Sequence, residues 1–408
     1  MNVNAEQELF ARFANIVTEP SEKDAILGVA PKVIVSPANT EQISAILAFA
    51  AENNLAVIPR GAGAQMAIGS APSRADILLD LSKMNTIIAY EPGDMTITAQ
   101  AGTSIGAIQR AAAEYRQFLA IDPDVEESAT IGGIAAVGIN GTRRMKYGGV
   151  YDQILGAQFV LADGTIARAG GKIVKNVAGY DIARLLCGSL GTLAVLTEVT
   201  FRLQPKPPFS RWIGVPSPTL EAAQTVVQLI RQSQLSPSAI EVVPAADGFV
   251  TALSFEYTAA AIQEQVTALR QLLGKKYGAW YIAKPNFSLP KNAFALRISA
   301  PPSQTLPILQ KVLEISEPMH IDWVAHVGFG AIETSVNAAP DAVVRLTGQL
   351  RPVCEAAGGA LVVSGDGLSA LPELDPWGTV SSAPLMRSVK SYYDPKSILN
   401  PGRFVDGI

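Results

Sequence analysis

Pro59-Arg60-Gly61-Ala62-Gly63-Ala64-Gln65 is the stretch of this sequence best suited to holding an anion. It follows an apolar run, Leu55 to Ile58, that reads as a short buried strand, and its glycines let the backbone turn with positive φ. Successive N–H groups in such a concave turn form a nest for negative charge, and the small side chains of Ala62 and Ala64 let a phosphate approach the main chain. A diphosphate is the guest that suits this chemistry. The spacing is neither a Gly-x-Gly-x-x-Gly fingerprint nor a P-loop, and the loop carries no lysine, so an ordinary strand-to-loop turn explains these residues equally well. A second tract, Ser128-Ala129-Thr130-Ile131-Gly132-Gly133 followed by small residues from Ala135 to Gly141, has the composition expected where a backbone lies close to something flat or large. Other chemistry has little material. The only histidines are His320 and His326, and the only cysteines, Cys187 and Cys354, exclude a self-contained four-cysteine iron–sulfur cluster or zinc ribbon and read as buried thiols.

The elements that would carry these loops can be read from periodicity. Val33 to Val35 is a strand, Asn39 and Gln42 can form a capping box, and Ile43, Ile46, Leu47 and Ala50 share one helical face, giving a β-α-β unit that ends in the glycine loop. Apolar or alternating runs follow at Ile77 to Leu81, Ile87 to Tyr90 and Met95 to Ala101, and then Ser104 caps a helix with Ile105, Ile108 and Ala112 inward. A hairpin is expected from Ile154 to Leu161 and Thr165 to Ala169 around Asp163-Gly164, and a strand over Leu193 to Leu203. The proline cluster Pro205 to Pro208 marks a domain boundary. Beyond it, strands alternate with amphipathic helices to about Ala383, most simply an antiparallel sheet with helices on one side. The expected organisation is α+β: residues 1–206 in two lobes (1–84 and 85–206), a domain over 207–384, and a turn-rich tail over 385–408.

The 408 residues suffice for two or three domains. A net charge of -4 without a basic stripe argues against nucleic acid and anionic membrane surfaces as partners. The polar, acidic start is unlike a signal peptide, and no apolar run approaches the roughly 18 residues of a membrane span, so the expected location is cytoplasmic, with membrane association only through partners.

Several stretches, in order, resemble FAD-binding flavoproteins of the vanillyl-alcohol oxidase and p-cresol methylhydroxylase type: Pro59-Arg-Gly-Ala-Gly63, Ala129-Thr-Ile-Gly-Gly133 with Asn140-Gly141, Tyr147-Gly148 through Val160-Leu-Ala-Asp-Gly164, Gly188-Ser-Leu-Gly-Thr-Leu-Ala-Val-Leu-Thr-Glu198, and the tail Asp394-Pro-Lys-Ser-Ile-Leu-Asn-Pro-Gly-Arg403. Lys175-Asn-Val-Ala-Gly-Tyr-Asp-Ile-Ala-Arg184 resembles more narrowly the E-type subunit of bacterial glycolate oxidase. The resemblance implies a two-lobed FAD domain of the p-cresol methylhydroxylase type with a C-terminal α+β cap. It implies a cofactor site of Pro59, Arg60, Gly61, Ala62, Gly63, Ala64, Gln65, Gly69, Ala101, Gly102, Thr130, Ile131, Gly132, Gly133, Asn140, Gly141, Val195 and Asn400, with Arg60 to Gln65 and Thr130 to Gly133 around the diphosphate. Arg60 could instead tie its loop to a carboxylate, and Gly188 and Gly191 could be packing glycines. Residues 62–66 offer no histidine or cysteine for covalent attachment, so FAD is expected to be dissociable.

Relatives that oxidise 2-hydroxy acids carry His-x-Gly-Asp-Gly-Asn-x-His and a later Glu-His-Gly, which hold a metal and the substrate carboxylate. Here the matching stretch is His326-Val-Gly-Phe-Gly-Ala-Ile-Glu333, with Phe329, Ala331 and Glu333 replacing the aspartate, asparagine and second histidine, and Ser364-Gly-Asp-Gly-Leu368 has no histidine. No metal site and no catalytic residue is therefore assigned. Three readings stand at this level: an accessory or electron-transferring FAD subunit of a glycolate dehydrogenase complex, beside a paralogous catalytic flavoprotein subunit and an iron–sulfur subunit; a self-sufficient flavin dehydrogenase of a small hydroxy acid such as D-lactate; or a structural subunit with an empty FAD fold.

Overall fold

The computed structural model describes residues 3–123, 127–171, 180–287, 293–317 and 319–408. Lys175 to Gly179, part of the glycolate oxidase-like stretch, lie outside them.

Asn39 starts the helix Thr40–Glu52 by accepting from the Gln42 N–H at 2.9 Å, while the Gln42 side chain reaches back to the Ala38 N–H at 2.7 Å. This helix buries Ile43, Ile46, Leu47 and Ala50. The parallel pairings of Val33–Val35 and Val57–Arg60 with Ile77–Asp80 make a small sheet, with Val17–Thr18 on its outer edge. The strand entering the glycine loop is thus Val57–Arg60, two residues later than the apolar run suggests: Leu55 and Ala56 follow the turn at residues 53–54 as buried lead-in, Ala56 accepting from the Asp76 and Ile77 N–H groups at 3.1 and 2.9 Å.

A second, antiparallel sheet begins at Ile87–Glu91 and continues through Thr96–Gln100, Val195–Arg202, Ile154–Val160 and Ile166–Gly170. The two sheets share one hydrophobic core. From Phe209–Ser217 onward an eight-stranded sheet, antiparallel at every pairing, is covered by the helices Leu220–Arg231, Ala259–Leu273, Thr305–Ser316 and Pro340–Ala356, with a core of its own. The chain is therefore α+β, with an antiparallel C-terminal domain.

Glu256 joins the two cores. Buried at the end of Gly248–Tyr257, it accepts from Arg143 Nε and Nη2 at 2.9 and 2.8 Å and from Tyr147 Oη at 2.9 Å, while Lys146 Nζ reaches its carbonyl at 2.9 Å. Beyond the C-terminal domain, the helix Ala383–Tyr393 leads the chain back to the first sheet, where Leu399 bridges to Val57 in parallel fashion and the Asn400 N–H donates to the Val57 carbonyl at 2.9 Å.

Candidate functional site

Arg60 ends its strand with its side chain already committed, donating to Asp24 at 2.7 Å and to Asp80 at 2.8 Å. Burial alone would lower the guanidinium pKa, but these two carboxylates raise it, and Asp24 is held down to about 2 by the same arginine. The arginine is a brace for the loop. Past it the chain turns tightly: Gly63 has φ +83°, and a Cβ on Gly61 would overlap the Thr130 hydroxyl. Met66 and Ile68 donate back to Gly63 and Gln65, whereas the N–H groups of Ala62 to Gln65 find no acceptor among the described residues.

Thr130 faces this loop. Its hydroxyl accepts from the Gly133 N–H at 3.3 Å and starts the short helix Ile131–Val137, and Gly132 donates to the Ala101 carbonyl at 2.9 Å. A Cβ on Gly132 would press into Ala101, while one on Gly133 would meet only the Thr130 hydroxyl, at 3.2 Å. Gly133 opens on the cavity and Gly132 does not have to.

Two adjoining cavities lie between these segments. Pro59, Gly61 to Gln65, Thr130, Gly133 and Asn400 line the first, and Pro59, Arg60, Gly61, Ala101, Thr130, Gly132, Gly133 and Val195 line the second. The remaining residues expected at the cofactor fall elsewhere. Ile131 is in the core; Gly102 is wedged against the Leu81 and Met84 carbonyls, and Gly69, at φ +93°, against the Arg403 carbonyl. Asn140 and Gly141 line a third cavity, where Asn140 accepts from the Val150 N–H at 2.8 Å and Gly141 packs against the Asp122 backbone.

The tail closes the first cavity and is held by a buried ion pair. Lys390 Nζ donates to Asp394 at 2.6 Å, to the Thr192 carbonyl at 2.8 Å and to the Leu399 carbonyl at 2.9 Å, and Asp394 in turn accepts from the Ile398 and Leu399 N–H groups at 3.1 and 2.8 Å. This clamp presents Asn400, in the left-handed region at φ 45°, and then Arg403 to the cavity. Sequence reasoning quoted Arg403 as part of a signature without assigning it a role; its unpaired cationic character exists only once the chain is folded.

The third cavity holds the one buried histidine among the described residues. His326 Nδ1 lies 3.0 Å from Glu241 Oε1, and Nε2 lies 3.9 Å from Glu333 Oε2. Burial would lower the imidazole pKa, but the hydrogen bond to Glu241 and the nearby Glu333 carboxylate raise it to about 9, which favours the protonated ring at neutral pH. Glu333 is held below its ordinary value, its burial outweighed by His326 and by Arg297, which pairs with it at 3.0 Å. Phe329 stacks on the imidazole with ring centroids 5.2 Å apart and carries the Arg144 guanidinium on the ring at 5.4 Å. Lys284 and Asp122 complete the polar wall. Among the described residues no group of three or more histidine, cysteine, aspartate or glutamate side chains has the geometry of a metal site.

Comparison with known proteins bears on this arrangement. Residues 31–170 match the FAD binding domain family, and residues 298–404 match the C-terminal domain of FAD linked oxidases. The D-lactate dehydrogenase of Archaeoglobus fulgidus is 30% identical over 414 residues, covering 91% of each chain. The chain belongs to the FAD-linked oxidases. Its cofactor is FAD, and it is an FAD-linked oxidoreductase of the hydroxy-acid dehydrogenase group. Glycolate oxidase subunit GlcD of Bacillus subtilis is 35% identical over 211 residues, which span 52% of this FAD-linked oxidase and 45% of GlcD. Among solved structures, an alkyldihydroxyacetonephosphate synthase superposes with a TM-score of 0.75 at 18% identity, covering 98% of this chain and 85% of that one. The 4-ethylphenol oxidase of Gulosibacter chungangensis superposes with a TM-score of 0.74 at 15% identity, covering 99% and 97%. These two likenesses establish the shared fold.

The residues of this FAD-linked oxidase fit an anionic cofactor in the first two cavities. Arg403 is buried with Nε and Nη1 lacking acceptors, and Ala62 to Gln65, whose N–H groups find none among the described residues, line the same cavity. Donors without acceptors are what a diphosphate requires. Ala62, Ala64 and Met66 offer no side chain able to bond covalently to the flavin.

Proposed function

We propose that this FAD-linked oxidase is the cofactor-bearing, electron-transferring subunit of a glycolate-oxidising assembly, in which a related flavoprotein chain removes hydride from the substrate and an iron–sulfur subunit passes electrons on. One observation carries the reading: His326, the group best placed to accept a hydroxyl proton, is already protonated and lodged between Glu241 and Glu333. A general base must be unprotonated and within reach of the proton it takes. The cations of this cavity already face carboxylates, His326 with Glu241, Lys284 with Asp122 at 3.8 Å and Arg297 with Glu333, so none among the described residues stands free for a substrate carboxylate.

Bound FAD supplies a two-electron acceptor that can release electrons singly. The chain's own residues brace it: Arg60 fixes the loop, Thr130 and Gly133 keep the cavity open, and the Lys390–Asp394 clamp seats the tail. Cys187 and Cys354 both lie in the chain as free thiols whose pKa burial raises to about 11, so iron–sulfur transfer requires another subunit. No described helix is long and apolar enough to cross a membrane, and membrane association would come through partners.

A second reading, direct oxidation of a small hydroxy acid such as D-lactate, is favoured by the near full-length match to a protein named D-lactate dehydrogenase. An anaerobic absorption spectrum of the purified chain separates the two. The electron-transfer reading expects the flavin to stay oxidised with glycolate or D-lactate until partner subunits are added. Bleaching by either substrate in the isolated chain refutes it.

A further inference from the structure

Arg403 is a buried cation without a counter-ion. The residue is 3% exposed, and among the described residues it makes no ion pair with a carboxylate. Nη2 donates to the Met66 carbonyl at 2.8 Å and also to that of Ile68, while Nε and Nη1 have no partner and the side chain lines the cavity of the glycine loop. Burial alone acts on its pKa, which falls to about 10, still leaving it charged at neutral pH. An isolated buried charge costs several kcal/mol unless something neutralises it. The chain nevertheless builds this arrangement with care: the Lys390–Asp394 clamp fixes the segment, and Gly402, at φ +85°, turns it against Ser73.

We propose that Arg403 is the counter-charge of bound FAD, its unpartnered Nε and Nη1 donating to the anionic part of the cofactor while Nη2 ties the guanidinium to the 66–68 backbone. The inference rests on the chain binding FAD, and it is independent of which subunit oxidises the substrate. The planar fork explains why arginine serves here: one nitrogen is committed to the protein and two remain for the ligand.

The test compares R403Q, R403K and the wild type in FAD affinity, in the melting temperature of apoprotein with pyrophosphate or ADP, and in the flavin midpoint potential. The expected result is FAD binding about 10- to 100-fold weaker in R403Q, the range for losing a hydrogen bond to a charged group, with R403K between the two because it keeps the charge. If the diphosphate is the partner, pyrophosphate and ADP raise the melting temperature of wild-type apoprotein and not that of R403Q. If the flavin ring is the partner, those ligands act equally on both proteins and the potential falls in R403Q, whose site no longer favours the reduced, more negative ring. Equal FAD affinity and equal potential in R403Q and wild type, or R403K as impaired as R403Q, overturns the proposal and leaves only a backbone tie. Should R403Q fail to fold, no stabilisation of wild-type apoprotein by pyrophosphate or ADP together with an unchanged potential in R403K overturns it. Bleaching of the isolated chain by glycolate would refute the electron-transfer role and leave these outcomes unaffected.

Discussion

Removing the positive end of the Lys390–Asp394 clamp tests how the tail is held. In K390M the Asp394 carboxylate stays fully buried, keeps the N–H groups of Ile398 and Leu399, and loses its only counter-charge among the described residues. Stranding one member of a buried pair destabilises by about 3–5 kcal/mol. For a unit the size of the FAD domain, that is a fall in melting temperature of roughly 6–20 °C. Burial lowers the Lys390 pKa in spite of Asp394, and buried ion pairs are often matched in stability by neutral groups of similar shape. K390M/D394N, which removes both charges and keeps an oxygen for the backbone N–H groups, should therefore recover much of the loss. The assay is thermal unfolding of the apoprotein, followed by FAD titration of each folded variant, with K390M weakest. A double variant as unstable as K390M would show that the ion pair itself carries the stability and refute the desolvation argument, and a K390M protein with wild-type stability and FAD affinity would show that the tail is seated by its apolar contacts and not by this clamp.

The Gly133→Ala change should separate folding from cofactor binding: it favours the helix by up to about 1 kcal/mol yet puts a methyl at the cavity wall, so melting of apoprotein rises or holds while FAD affinity falls. His326 makes the C-terminal domain sensitive to alkali. Its folded pKa is raised from 6.5 to about 9, so the stabilisation, ~3 kcal/mol, is complete below pH 6.5 and is lost as pH rises through 9; H326Q should flatten a urea-denaturation profile over that window. Replacing Glu256 with leucine strands Arg143 and Tyr147 at the junction of the two cores and should cost about 2–4 kcal/mol, read as faster limited proteolysis near Pro205 to Pro208; an unchanged cleavage rate refutes a clasp role.

Local signals made the first half of the chain legible. The Asn39 cap, the period of Ile43, Ile46 and Leu47, and the Asp163-Gly164 turn are short-range features that the fold realises in place, the turn having Gly164 at φ +90° and the Leu161 N–H donating to the Thr165 carbonyl. The C-terminal domain was less readable. Ala331–Val336 is buried at nearly every position and so lacks the alternation that marks a strand, and Ala360–Ser364, whose burial alternates, is too short for its period to stand out in sequence. At the site, glycine tracts told where backbones come close but not to what: Gly61 and Gly133 face a cavity edge, whereas Gly102 and Gly141 face other backbone. Arg60 and Arg403 look alike in sequence, and only the fold gives two carboxylates to the first and none to the second. Glu241 was invisible as a partner of His326 because 85 residues separate them.

The closing of the cavity by Asn400 and Arg403 against a loop some 337 positions earlier makes the cofactor site depend on both ends of the chain at once. A chain cut before residue 394 would keep the strands of both sheets of the FAD domain but lack one wall of the cofactor site. The cofactor site is thus a long-range assembly, and a chain cut before Asp394 should bind FAD more weakly than one that carries Asn400 and Arg403.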